Sequence, residues 1–189
     1  MRVIAGQYKR RLLNTLPGND VTRPTSDRVK ESIFNIISNE IPNANILDLF
    51  AGSGSLGIEC LSRGANKAIF VENNINAAKN IQFNLDNLKI NSNDYLLFKQ
   101  DASKFLNSSN FDFKIDIIFI DPPYLSNWYE NALLEIEQSD ICNQFCTVIF
   151  EMPTNSKILL QSNFQSWTKD DERVYGKTKI EIWRRGQTE

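Results

Sequence analysis

The chain contains no histidine. That absence excludes Ser-His-Asp and Cys-His catalysis and every histidine-ligated metal site. Any chemistry therefore falls to carboxylates, amides, lysine or a cofactor. Cysteine is scarce: Cys60, Cys142 and Cys146 are scattered and odd in number. The spacing of the last two is that of a helix pair rather than a zinc knuckle. No second pair completes a site, so reduced thiols and no metal are expected. No apolar run approaches the roughly 18–20 residues of a membrane span, and "MRVIAGQYKRR" has no signal-peptide core. A cytoplasmic protein that meets no membrane is the expectation.

What is present is ordinary in amount and uneven in placement. Apolar residues make up 41% of the chain and charged residues 23%, the balance of a soluble globular protein. Its 189 residues suffice for one well-filled domain with a small appendage. The net charge is −2. Yet residues 1–30 hold seven bases, Arg2, Lys9, Arg10, Arg11, Arg23, Arg28 and Lys30, against only Asp20 and Asp27. An acidic body with a basic arm suits contact with a polyanion.

Residues 2–15 read as two short strands around Gly6, a hairpin or extended arm. "LPGNDVTRP" is a turn-rich linker. Apolar residues at Val29, Ile33, Phe34, Ile36 and Ile37 predict a helix from Thr25 to about Asn39, capped by Thr25 or Asp27. Strands are expected at 45–50, 67–72, 95–100, 114–120, 147–152 and within a strand-rich end that includes 179–185. Helices are expected at 55–64, 74–89, 102–107, 127–138 and 155–161. Strands apolar through their length and alternating with helices indicate an α/β, doubly wound, mostly parallel sheet covered on both faces. The expected organisation is a basic arm and helix over 1–41 and a catalytic domain over 42–189.

In such sheets ligands sit beyond the carboxyl ends of the strands. Four successive strands end in an acid there: Asp48, Glu72, Asp101 and Asp121. Gly52, Gly54 and Gly57 fit G-x-G-x-x-G after the first strand, a loop that lets backbone approach a nucleotide-like ligand while Glu72 meets ribose hydroxyls. Nicotinamide enzymes share that pattern. Asp48, however, would repel a pyrophosphate and welcome the positive amino or sulfonium group of S-adenosylmethionine. The turn "DPPY" points the same way. Methylating an exocyclic amine of a nucleobase requires its lone pair to be aimed at the methyl and its growing charge to be met. The Asp121 carboxylate and the Pro122 carbonyl, stiffened by Pro123, can each accept an N–H. Tyr124 can stack on a base flipped from its helix.

These residues resemble a Rossmann-like class I methyltransferase. More narrowly, the chain resembles the bacterial RsmD family, the 16S ribosomal RNA guanine-N2 methyltransferases. The resemblance runs through "MRVIAGQYK", "TRPTSDRVKESIFNII", "LDLFAGSGSLGIECLSRGA", "VE", "IDPPY" and "YGKTKIEIWRR", essentially end to end. It implies seven strands with one antiparallel strand near the C-terminus, S-adenosyl-L-methionine as cofactor and no metal. It also implies a monomer that acts on 16S ribosomal RNA or the small ribosomal subunit. Asp48, Phe50, Ala51, Gly52, Ser53, Gly54, Glu72, Asn73, Asp101 and Ala102 would line the cofactor. Asp121, Pro122, Pro123 and Tyr124 would hold the target guanine, and Arg10, Arg11, Arg23 and Arg28 are candidates for RNA contact. Asn73 and Asn74 depart from the bulkier or charged residues usual after the acid. Arg10 stands where the family more often has glycine.

Rival readings are a DNA adenine-N6 or cytosine-N4 methyltransferase, a nicotinamide oxidoreductase, and a non-catalytic RNA-binding assembly factor. The first normally needs a target-recognition insertion for which this chain has no room. Trp128 and Tyr129 read more readily as packing than as part of a base pocket. Glu151 follows a strand where it can face the cleft or pair with a base.

Overall fold

A computed structural model of the protein describes residues 1–16, 27–122, 128–156 and 166–186. The expected cap at Thr25, most of the expected helix at 155–161, and Arg23, Pro123 and Tyr124 lie outside the described residues. In chain order the elements are α1 (Asp27–Ile36), β1 (Asn45–Asp48), α2 (Ser55–Ser62), β2 (Lys67–Val71), α3 (Ile75–Asn87), β3 (Tyr95–Phe98), α4 (Ala102–Ser108), β4 (Ile115–Ile120), α5 (Trp128–Ser139), β5 (Cys142–Pro153), β6 (Trp167–Tyr175) and β7 (Thr178–Arg185). The strands form one sheet in the order β3-β2-β1-β4-β5-β7-β6. Strands β1 to β5 pair in parallel. β7 alone is antiparallel, inserted between β5 and β6. This is the mostly parallel, seven-stranded α/β sheet that the sequence suggests. Strand order reverses between β1 and β4, so a crevice opens beyond their carboxyl ends.

Side chains alternate across the pleat and build two cores. On one face Ile46, Phe70, Ile117, Phe119, Ile149, Ile180 and Ile182 pack with α1, α2 and the arm. On the other, Leu47, Ile69, Ile118, Val148 and Phe150 pack with Phe105 of α4 and Leu133 and Ile136 of α5. Burying Ile33 and Phe34 of α1 contributes roughly 1.5–3 kcal/mol each. In α2 every residue is buried. It lies so close to the sheet that a Cβ on Gly57 would come 2.3 Å from the Phe70 ring.

Two local expectations are corrected. Cys142 and Cys146 sit in a strand, not on a helix, and β5 begins at Cys142 rather than near Thr147. A register slip causes both: Cys142 pairs with Ile115, whereas Thr147 pairs with Ile117, so the intervening residues bulge. The arm is the hairpin expected around Gly6, but its two strands reduce to a single bridge, Arg2 to Leu12.

The arm belongs to the body, because Val3 and Leu13 share the core of α1 and α2. Its backbone is held by a buried acid in α2. Glu59 accepts hydrogen bonds from the Ile4 and Ala5 N–H groups at 2.8 and 2.9 Å. The same carboxylate pairs with Lys30 of α1 at 3.1 Å, both side chains being 0% exposed. Arg63 completes the cluster at 2.8 Å. Burial pushes the Glu59 carboxyl up, but Lys30, the Ile4 N–H and Arg63 outweigh it and hold the group ionised, below its ordinary value. At Gly6 the approach to α2 is closer still: a Cβ would meet the Ser62 carbonyl oxygen at 1.7 Å.

The arm's turn carries one strained residue. Arg10 has φ 68°, a left-handed conformation that L-residues adopt at some cost. Arg10→Gly should therefore stabilise the protein by about 0.5–1 kcal/mol, the relief of Cβ strain exceeding glycine's extra unfolded-state entropy. Urea unfolding at fixed pH measures this, and a destabilised variant would show that the arginine side chain matters more than its backbone.

Candidate active site

Beyond the carboxyl ends of β1, β2 and β4 the chain brings together a glycine loop and several acids. The loop leaves β1 with Leu49 N–H donating to the Phe119 carbonyl and Ala51 N–H to the Val71 carbonyl, so both neighbouring strands fix its exit. Gly52 and Gly54 have φ 52° and 77°, the left-handed region where glycine is at ease. Glu72 braces the turn: one carboxylate oxygen accepts from Gly52 N–H and the other from Asn74 N–H, each at 2.8 Å. With a third N–H from Asn73, one of the four lone pairs of this carboxylate remains for a ligand hydroxyl. Asn74 caps α3 through the Asn76 and Ala77 N–H groups.

Asp48 is 3% exposed and accepts from Gly57 N–H at 3.1 Å. Burial pushes its carboxyl up to about 7, Gly57 N–H lowers it, and nearby Glu72 raises it further. Burial likewise raises Glu72 against the pull of three N–H groups. Asp121, one residue past β4, is raised well above the ordinary carboxylate range by burial first, then by Glu151 and Asp48. Among the described residues the site is thus a set of carboxylates crowded together, with distant Lys30 the one cation that acts on Asp48. A cationic ligand relieves that deficit. Its donors are hard carboxylates braced by backbone, and among the described residues no group of three or more acids or thiols is arranged to hold a metal ion.

Around this centre, Asp101 caps α4 through the Ser103 and Lys104 N–H groups, with Ala102 buried behind it. Phe50 meets Trp128 edge to face, ring centroids 5.0 Å apart, and the Trp128 Nε1–H donates to Ser103 Oγ. Ala51 is buried. Ser53 is tied to the arm: Asn84, itself buried, donates to the carbonyls of both Ser53 and Asn14. Pro122 is buried, and its carbonyl lies 3.2 Å from the Tyr129 hydroxyl, which is equally 3.2 Å from the Glu151 carbonyl. Tyr129 thereby ties the ends of β4 and β5 together, a role that packing considerations alone did not disclose.

The candidate RNA contacts are not gathered in one place. Arg28 lies over the Tyr175 ring, 6.0 Å from its centroid, where the β6–β7 hairpin turns at the carboxyl end of β5. Arg11 sits with Gln7, Tyr8, Leu88 and Lys89 by the last turns of α2 and α3, at the opposite end of the sheet. Arg10 is on the same turn, exposed to solvent.

Residues 1–184 match the family model described as "Conserved hypothetical protein 95". Ribosomal RNA small subunit methyltransferase D of Haemophilus influenzae is 34% identical over 93% of this chain and 89% of its own length. The chain belongs to the RsmD family. Among solved structures, yhhF of Escherichia coli aligns with this RsmD-family chain at a TM-score of 0.83 and 30% identity, covering 98% of this chain and 97% of that one. An RNA methyltransferase from Salinibacter ruber, solved in complex with S-adenosyl-L-homocysteine, shares the fold at a TM-score of 0.64. It is 11% identical over 86% of this chain and 93% of its own. The sheet is that of the Rossmann-like methyltransferases.

Proposed function

We propose that this RsmD-family protein is an enzyme that methylates the exocyclic N2 amine of a guanine in 16S ribosomal RNA, with S-adenosyl-L-methionine as methyl donor. The observation that carries the reading is the crowding of Asp48, Glu72 and Asp121 around a glycine loop at the switch point of the sheet. The named activity of the Haemophilus influenzae relative supports it. When bound, the donor supplies a methyl group activated by a sulfonium centre.

Asp48 and the loop Phe50, Ala51, Gly52, Ser53, Gly54 would hold the methionine end, where Asp48 meets positive charge. The remaining lone pair of Glu72 would take a ribose hydroxyl, with Asn73 beside it. Asp101 and Ala102 would bound the adenine. Asp121 would accept one N–H of the guanine amine and the Pro122 carbonyl, held by Tyr129, the other. This aims the nitrogen lone pair and offers Asp121 Oδ for the proton that the amine sheds. Pro123 and Tyr124 complete that turn in the proposal. Arg28, and Arg23 in the same stretch of sequence, are assigned in this proposal to the RNA backbone. Arg10 and Arg11, at the far end, suit a more distant phosphate. We assign residues 1–41 to RNA contact and 42–189 to catalysis, in a cytoplasmic monomer acting on the small subunit or its assembling precursor.

Donor binding should depend on pH in a definite direction. The Asp48 carboxyl is raised from an unfolded value near 4 to about 7, so without ligand the folded state holds the proton more tightly and loses stability as pH rises through that window. A cation favours the ionised form. The donor's dissociation constant should therefore rise about tenfold per pH unit below about 7 and level off above it. Calorimetric titration between pH 5.5 and 8.5 measures this, and a flat profile would remove Asp48 from the cation's surroundings.

The activity itself is tested by transfer of labelled methyl from S-adenosylmethionine. The substrates are free 16S RNA, small subunits lacking the modification, and duplex DNA. Label recovered as N2-methylguanosine from particles is the expected result. Label in DNA would install a DNA amino-methyltransferase instead, and donor binding without transfer would leave an RNA-binding assembly factor.

A further inference from the structure

Glu151 lies at the carboxyl end of β5, next to the strand that presents Asp121. The parallel register pairs Phe119 with Ile149 and Ile120 with Phe150, so Asp121 and Glu151 are the following register positions. Phe119 and Ile149 face the α1–α2 core, and by the period-two alternation of strands so do the positions of Asp121 and Glu151. The Tyr129 hydroxyl, within 3.2 Å of both the Pro122 and Glu151 carbonyls, locks this juxtaposition. The two acids are near enough that Glu151 is the main charge raising Asp121. Neighbouring strands stand about 4.8 Å apart, a spacing that sets two carboxylates side by side along one edge of a flat ring.

Guanine is the nucleobase whose pairing edge offers two adjacent donors, the N2 amine and N1–H. Adenine and cytosine each set an amine beside a ring nitrogen that is an acceptor. The two N–H donors of guanine favour the ionised form of both acids, and an ionised carboxylate only accepts. With Asp121 engaged on N2, a second carboxylate at the neighbouring position meets N1–H in guanine and a repelling lone pair in the other two. We propose that Glu151 is the residue that selects guanine, by accepting the N1–H of the flipped base. The inference rests on the guanine-N2 reading above and supplies what that reading lacks, a group that distinguishes the base. Sites that hydrogen-bond a substrate N–H reject strongly an analogue that presents a lone pair there instead, since it faces the negative carboxylate.

The test replaces the target guanine, located first by mapping the wild-type product, with 2-aminopurine in 16S RNA reconstituted into small subunits. That base keeps the C2 amine and turns N1 into an acceptor. Wild-type protein should methylate guanine about a hundredfold faster than 2-aminopurine, as kcat/KM. Glu151→Gln, whose amide can donate to N1, should slow guanine about tenfold or more and bring the two bases within about fivefold of each other. Donor affinity, measured by calorimetry, should stay unchanged. A lower rate on both bases with the ratio preserved would mean a structural role and overturn the proposal. So would a wild-type enzyme that ignores the substitution, a result that needs no variant. Absence of any N2-methylguanosine from wild-type reactions would overturn the activity itself, an outcome distinct from a preserved ratio.

Discussion

Asp121→Ala should lower methyl transfer by about 10²–10³-fold or more while leaving donor affinity near that of the wild type. The carboxylate sits beside Pro122, whose carbonyl is fixed by Tyr129, so its loss removes one of two acceptors from the amine and leaves the other in place. The same substitution should make the protein more stable. Asp121 is raised by burial and by its acidic neighbours, which means that the fold strains to keep it charged. An alanine ends that repulsion, and the melting point should rise by the equivalent of about 1 kcal/mol. Rates from labelled donor and thermal unfolding at pH 8 check both halves. A variant that is active within threefold of wild type would take Asp121 out of the chemistry. One that is inactive and also unstable would show the residue to be structural.

Glu59→Ala should cost about 3–5 kcal/mol of stability, as expected when one partner of a buried ion pair is removed. Lys30 would lose its counter-ion at 0% exposure, and the Ile4 and Ala5 N–H groups would lose their acceptors. The loss should be local as well as global, with arm amides exchanging before those of β1 and β4. The pH dependence has a fixed sign. The Glu59 carboxyl is held below its unfolded value, so its contribution is complete above about pH 4.3 and vanishes as pH falls through the folded value. Urea unfolding of the two proteins at pH 7 decides the matter. A difference under about 1 kcal/mol would mean that the arm is docked by Val3 and Leu13 alone.

The five parallel strands could be read from the sequence because strands buried on both faces are continuous apolar runs, as in "NILD" and "IDIIFI". β6 could not be read individually. "WTKDDERVY" is mostly charged, and it is a strand because β7 supplies the ladder along its whole length. Such charge is usual on an edge strand. Cys142 and Cys146 misled because a bulge, invisible in spacing, put helix-like periodicity into a strand. At the site, the acids after successive strands were legible since topology alone delivers them to one end. Glu59 was not, because a glutamate in a helix ordinarily faces water. The available signal was its setting in "SLGIECLS", a helix with no polar face to offer it. Tyr129 was hidden by its helix. Its hydroxyl reaches back to a carbonyl seven residues earlier only because α5 packs against β5.

The place of β7 bears on how the chain becomes a sheet. β6 is synthesised first, yet its only strand neighbour among the described residues is β7. Until β7 emerges, β6 has nothing to zip to, and the flank of β5 stands open with Ile149 and Phe150 beside it. The two strands turn tightly at Gly176, φ 61°, so they can pair with each other within microseconds and dock as one hairpin. The seam along β5 is therefore the last to seal. Whatever prolongs that interval leaves an unpaired edge on an otherwise formed sheet, the kind of surface through which nascent chains stick to one another.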